Sequence, residues 1–289
     1  MKGTVKDLRM ASDLAEKGRF ADAIRVLDRI LGMPAGGDSA AKIAGLKASL
    51  SSTEPLIEID DSEIGDRPDG GEGMSGFSLN LARMRIPSET VGQLLGLRTR
   101  WFVSRLNAER SQEALQASIQ GSMDVIELIQ DPAAAAQLAP DDQAEMLCLA
   151  VDPFFIVNDY EMVARLLGAA LHRAPANALL GSVVASLVQT LQENLGKDNP
   201  SAIANREKYR AGLAQLVPLI EVTTVARELV GTGAPGDAKA LLERISAEIL
   251  HRQSARASSA SAAPAPATPP QTPPEAAKPG LLGRIFGKR

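Results

Sequence analysis

Apolar residues recur at helical spacing along most of the chain. In the first segment Leu14, Phe20, Ile24, Leu27 and Leu31 fall three or four residues apart or in multiples of that step. They predict three short helices between Asp7 and about Ser51, with Gly18 dividing the first two and Pro34 to Gly37 ending the second. This is the N-terminal body, residues 1–51. A larger helical body follows over 88–253. Ser88 can cap a helix whose apolar positions continue through Leu94, Leu95, Trp101, Phe102, Leu106, Leu115, Ile119, Val125, Ile126 and Ile129. A single helix of that length would be unusual, and Gly96 and Gly121 are the natural places for a bend or break. Further on, Asp131-Pro132, Ala139-Pro140, Asp152-Pro153, Ala174-Pro175, Asn199-Pro200 and Ala234-Pro235 punctuate the apolar segments. A residue before proline is pushed out of the helical region, so this part reads as short antiparallel helices joined by tight turns. No alternation of strand and helix supports a parallel sheet, and the fold class is all-α.

Two stretches break the pattern. Residues 52–87 hold Glu54, Glu58, Asp60, Asp61, Glu63, Asp66, Asp69 and Glu72 among prolines and glycines, the composition of an acidic, solvated linker. Within it Phe77, Leu79 and Leu81 alternate with small or polar residues in a short strand-like pattern. Pro55 to Asp60 offers an extended partner for it. Residues 254–280 consist mostly of Ala, Ser, Pro and Thr and predict a disordered Pro/Ala-rich linker.

Composition sharpens this picture. Of 289 residues 45% are apolar and only 3% aromatic, which favours closely packed helices. The net charge of -4 gives no bulk attraction to nucleic acid or anionic lipid. A lone cysteine, Cys148, cannot form an internal disulfide, and the N-terminus lacks the apolar run of a secretory signal, so the expected location is cytoplasmic. The uncharged stretch from Ala174 to Gln192 carries Pro175, Asn177 and several hydroxyl and amide side chains, and reads as a buried core helix.

Candidate chemistry is sparse. His172, His251 and Cys148 lack the spacing of a zinc site and read as two solvated histidines and a buried thiol. Gly196-Lys197 lacks the flanking residues of a phosphate loop, and the acidic linker has Ile64 and Gly71 where a calcium loop needs oxygen ligands. No catalytic, cofactor-binding or metal-binding residue is assigned, and no enzymatic activity or cofactor is expected. Arg98, Arg100, Arg105 and Arg110 surround Trp101 and Phe102. A single-strand nucleic-acid binder would use such arginines on phosphates with the indole stacking. The simpler reading places Trp101 and Phe102 in the core and the arginines on the wet face of one amphipathic helix, with no nucleic-acid partner.

The segment Leu14 to Pro34 resembles the tetratricopeptide repeat. Gly18 stands at that family's inter-helix turn, Phe20 at its aromatic position and Ala23 where its second helix must be small. Ile30, Leu31 and Pro34 stand at its closing positions, with Ile30 bulkier than usual and the proline one residue early. Asp159 to Pro175 resembles it again through Tyr160, Ala164, Leu167, Ala170, Leu171 and Pro175, with Val163 in place of an alanine. A fainter copy is Ala226 to Ile245, with Gly233, Ala238, Leu242 and Ile245. The resemblance implies helical hairpins packed as a tetratricopeptide-like or irregular α-solenoid or bundle, with a concave surface that binds another protein and performs no catalysis.

The last nine residues, 281–289, form an amphipathic basic docking peptide. On a helix Leu281, Leu282, Ile285 and Phe286 share one face, Arg284 and Lys288 share the opposite side, and Arg289 ends it. Burying the four apolar side chains would contribute roughly 6–10 kcal/mol before the cost of ordering the peptide. The layout resembles the short encapsulation peptides that tether cargo to bacterial shell proteins. Two targets share this chemistry, a groove on a second protein partner and the anionic inner face of a membrane. The expected function is a non-catalytic adaptor or scaffold whose body binds one protein and whose tail docks it on another. The alternative is a peripheral membrane protein recruited by the tail.

Overall fold

The computed structural model describes residues 3–59, 83–233 and 237–261, with side chains to Ala255. These residues are almost entirely helical and divide into two compact units, one over Met1–Leu179 and one beginning at Leu180.

The first unit opens on three helices, α1 (Val5–Glu16), α2 (Phe20–Ile30) and α3 (Ser39–Leu50), at the positions the apolar spacing predicts. Thr4 starts α1 through a capping box: its hydroxyl accepts from the Asp7 amide, and Asp7 accepts from the Thr4 amide. Gly18 sits at φ 76°, and the bonds Arg19 N to Leu14 O and Gly18 N to Ala15 O close a Schellman turn. The turn folds α2 back along α1 and buries Leu8, Ala11, Ala15, Ala23, Ile24 and Leu27 between and beneath them. Gly32, at φ 72°, ends α2 with the same bonding, Met33 N to Asp28 O and Gly32 N to Arg29 O.

Ile57–Glu58 (β2) is extended, but its partner is Gly3–Thr4 (β1), paired in parallel. The strand-like residues Phe77, Leu79 and Leu81 lie outside the described residues.

A 3-10 turn, Arg83–Arg85, leads into the central helix α4 (Pro87–Glu109), followed by α5 (Gln112–Gln130). Pro87 occupies the first turn with Ile86 as its cap, so Ser88 lies inside the helix and does not cap it. The expected breaks at Gly96 and Gly121 do not occur. The chain reverses at Arg110, in the left-handed region at φ 48°, and Ser111 caps α5 by accepting from the Ala114 amide. Gly121 serves packing instead, because a Cβ there would lie 2.6 Å from the Phe102 ring. α6 (Pro132–Ala135), α7 (Pro140–Leu149) and α8 (Asp152–Ile156) each carry proline in the first turn, and α9 (Tyr160–Arg173) completes the unit. Pro132, Pro140 and Pro153 therefore open helices, where the missing amide costs nothing. α4 packs against α2, α3, α5 and α7, and α9 lies along α7 and α8.

The second unit contains α10 (Ala178–Leu195), α11 (Pro200–Gly231) and α12 (Ala238–Ser261). α10 buries Leu180, Val184, Leu187, Val188 and Leu191 along one stripe, as expected of a core helix. α11 carries Pro218 in its interior, and α12 packs against it with Arg252 bonded to Glu228 at 2.6 Å. The helix boundary near Gln253 needs correction, since Ser254 to Ser261 remain helical. Alanine, serine and arginine sustain the helix there, and the first proline comes only at Pro264. The rest of the predicted spacer and the docking peptide, 281–289, lie outside the described residues. Among the described residues no helix is long and apolar enough to cross a membrane.

Candidate functional site

The arginines around Trp101 do not form one wet face. Arg98 is 1% exposed. Its Nε donates to Asp28 Oδ1 at 2.6 Å and its Nη2 to Asp124 Oδ2 at 3.0 Å, tying α4 to α2 and α5. Its guanidinium carbon lies 4.8 Å from the centre of the Phe102 ring. Asp124 also accepts from Gln120 Nε2 at 3.1 Å and lies 3.9 Å from Lys42 Nζ on α3. Sequence carried a signal for this burial. Leu94, Leu95, Trp101 and Phe102 lie three and four residues to either side of Arg98, which places it in the middle of the apolar face. Arg105 is held by Glu109 at 2.9 Å and Glu113 at 3.0 Å, and Arg110 forms the exposed left-handed corner. Trp101 and Phe102 are buried, as expected of core residues.

Arg100 instead lines an open cleft of about 360 Å³. Its floor is α4, through Leu97, Arg100, Trp101, Val103 and Ser104. One wall is the α1–α2 turn, through Ala15 and Phe20, and the other is the α7–α8 corner, through Leu149 and Asp152. Two turns of the same construction occur in this unit, one between α1 and α2 and one between α8 and α9. As Gly18 precedes Phe20 by two residues, so Asn158, at φ 61°, precedes Tyr160, and the bonds Asp159 N to Phe154 O and Asn158 N to Phe155 O repeat those at Gly18. Asparagine tolerates the left-handed region better than other side-chain-bearing residues, and the Tyr160 hydroxyl donates to Asn158 Oδ1 at 2.6 Å.

Asp152 is the acidic member of the cleft. It is half-buried. Burial alone pushes its carboxyl above the usual aspartate range. Arg100 has an interaction of its own. The site therefore combines apolar walls with one guanidinium, Arg100, and one half-buried carboxylate, Asp152.

Elsewhere the chemistry is quiet. Cys148 is buried on α7, its thiol pushed up to about 12 by burial and then by Glu145, so it is held as the unreactive thiol. His172 is exposed in the last turn of α9, and His251 is exposed in the interior of α12, away from the helix end. Among the described residues no three His, Cys, Asp or Glu side chains gather as metal ligands would. The docking residues Leu281, Leu282, Arg284, Ile285, Phe286, Lys288 and Arg289 are outside the described residues. The chain matches no family model, no curated protein and no solved structure.

Proposed function

We propose that this protein is a cytoplasmic, non-catalytic adaptor whose helical body binds one protein partner and whose C-terminal peptide docks it on a second. The observation that carries the reading is the open cleft beside the α1–α2 turn, walled by helix corners and floored by α4. The repeated Schellman turns at Gly18 and Asn158 support the resemblance to the tetratricopeptide repeat, a scaffold for binding proteins. The amphipathic sequence from Leu281 to Arg289 supplies the second contact. A peptide this short, with three glycines in or beside it, binds singly with an affinity on the order of micromolar, so several tails on one assembly would strengthen docking.

Affinity purification with the full chain and with a chain lacking Pro279 to Arg289, beside liposome co-sedimentation of both, tests the reading. The adaptor loses a specific set of captured proteins on deletion and sediments with neither neutral nor anionic vesicles. Sedimentation with anionic vesicles that vanishes on deletion would replace docking with membrane recruitment. Unchanged behaviour in both assays would refute a role for the tail. Leu281→Asp with Phe286→Asp should reproduce the deletion, because the apolar face does the binding.

A further inference from the structure

We infer that α11 is a self-association surface: its solvent-facing stripe pairs antiparallel with the same stripe of a second copy of this chain, about a two-fold axis between Ala214 and Val217. The order of charges along the stripe carries it. Gly212, Leu216, Leu219, Thr223 and Ala226 are buried and define the core side of α11. Half a turn round the helix, Glu207, Arg210, Ala214, Val217, Glu221 and Thr224 follow at alternating steps of three and four residues and so share one face. Val217 is 45% exposed at the middle of that face, next to the exposed Ala214. Arg206 and Arg210 precede this centre, and Glu221 and Glu228 follow it, with Glu207 the departure from that order.

A face that is basic toward one end and acidic toward the other repels a parallel copy and complements an antiparallel one. The axis between Ala214 and Val217 sets Arg210 against Glu221 of the second copy, and Glu207 against its Thr224. Two-fold symmetry repeats each contact, so two ion pairs flank an apolar centre made by Ala214 and Val217 from both copies. Ala214 is small enough to let the helix axes approach to the roughly 8–10 Å of packed helices. Arg210 is now held by Glu207 at 2.5 Å, Arg206 by Asp198 at 2.7 Å and Glu228 by Arg252 at 2.6 Å, and Glu221 has an interaction of its own. Exposed pairs of this kind contribute little, so exchanging them across the two copies costs little. A dimer carries two C-terminal peptides, the multivalency that a singly weak peptide needs, but the inference stands on α11 alone.

Sedimentation equilibrium of the full chain, from low to several hundred micromolar, tests it. The mass should rise with concentration from 30.4 kDa toward twice that value. Arg210→Glu and Glu221→Arg should each weaken self-association at least about tenfold, because each replaces two attractions with two repulsions. An equimolar mixture of these two variants should regain the wild-type association, since the charges are then complementary at both positions; a role confined to the fold is not rescued in this way. Circular dichroism establishes that each variant is folded. Should either reversal fail to fold, Val217→Lys, at an exposed position, brings two cations together at the axis and should abolish association. The inference is overturned if the full chain stays at 30.4 kDa throughout. It is overturned equally if folded variants associate like the wild type, or if the mixture associates no better than the single variants. The adaptor reading fails separately, when affinity purification captures no partner.

Discussion

Arg98 is a buried cation held between two carboxylates, and its removal strands one of them. Asp124 has a fully buried side chain and would keep only Gln120 and the more distant Lys42. Breaking a buried pair from one side costs about 3–5 kcal/mol, whereas replacing both members with apolar groups of similar size is close to neutral. Arg98→Met, which retains the stem, should therefore destabilise by that amount in urea unfolding. Adding Asp124→Leu should recover most of the loss. A cost below about 1 kcal/mol for the single variant would mean that the network is not a support of the core. The close seat of α3 offers a second test of packing. A Cβ on Gly45 would collide with the Gly32 carbonyl oxygen, which is backbone and cannot rotate away. Gly45→Ala should cost about 1–3 kcal/mol, while Gly96→Ala, with open space at that point, should be neutral or gain up to about 1 kcal/mol.

At the level of elements, the junction between α4 and α5 shows what a sequence conceals. The 3.6-residue apolar period made both helices legible, and prolines marked the starts of α6, α7, α8 and α11 because proline suits a first turn. The reversal itself falls on Arg110, a residue type that carries no turn signal, while the glycines that do carry one lie inside helices. Gly121 is there for the Phe102 ring, a requirement set by a neighbouring helix. The β1–β2 pair was hidden for a related reason, since two residues of pairing across more than fifty positions leave no periodicity to read. In the candidate site the same limit applies. Trp101 and Arg100 stood out by type, but Asp152 looked like an ordinary residue before proline until folding brought the α7–α8 corner beside α4. The left-handed corner makes a direct prediction. Arg110 sits where an L side chain is strained by about 1–2 kcal/mol, so Arg110→Gly should raise stability by about 0.5–1 kcal/mol after the added chain entropy is charged against it. A loss in thermal unfolding would show that the arginine side chain contributes more than its backbone strain removes.

Over the whole molecule, two groups of carboxylates pull the acid stability in opposite directions. Asp22, Asp131 and Glu248 are held below their usual ranges, chiefly by hydrogen bonds from Arg19, Lys47 and Arg252 respectively. Asp7 joins them, because the Thr4 and Arg29 contacts outweigh the raising effect of burial. Asp152 is raised by burial, and Asp142 by burial with Glu89 and Asp141 adding to it against Arg83. For the lowered groups the unfolded chain binds more protons, so their stabilisation is present above the ordinary aspartate and glutamate range and disappears as pH falls through their folded values. For Asp142 and Asp152 the folded chain binds more protons between the ordinary value and the raised one, so stability falls as pH rises through that window. The two groups therefore oppose each other: falling pH below the ordinary carboxylate range removes the first contribution, and rising pH through the raised values removes the second. Asp152→Asn separates the two groups, since it removes one desolvated charge and none of the stabilising ones. At pH 7 it should unfold at a higher temperature than the wild type, by the equivalent of roughly 0.5–1 kcal/mol, and the gain should shrink as pH falls through the raised folded value toward the ordinary aspartate value, below which Asp152 becomes protonated in both states. Calorimetry at pH 7, 5.5 and 4 checks this, and a variant less stable than wild type at pH 7 would show that Asp152 supports the fold.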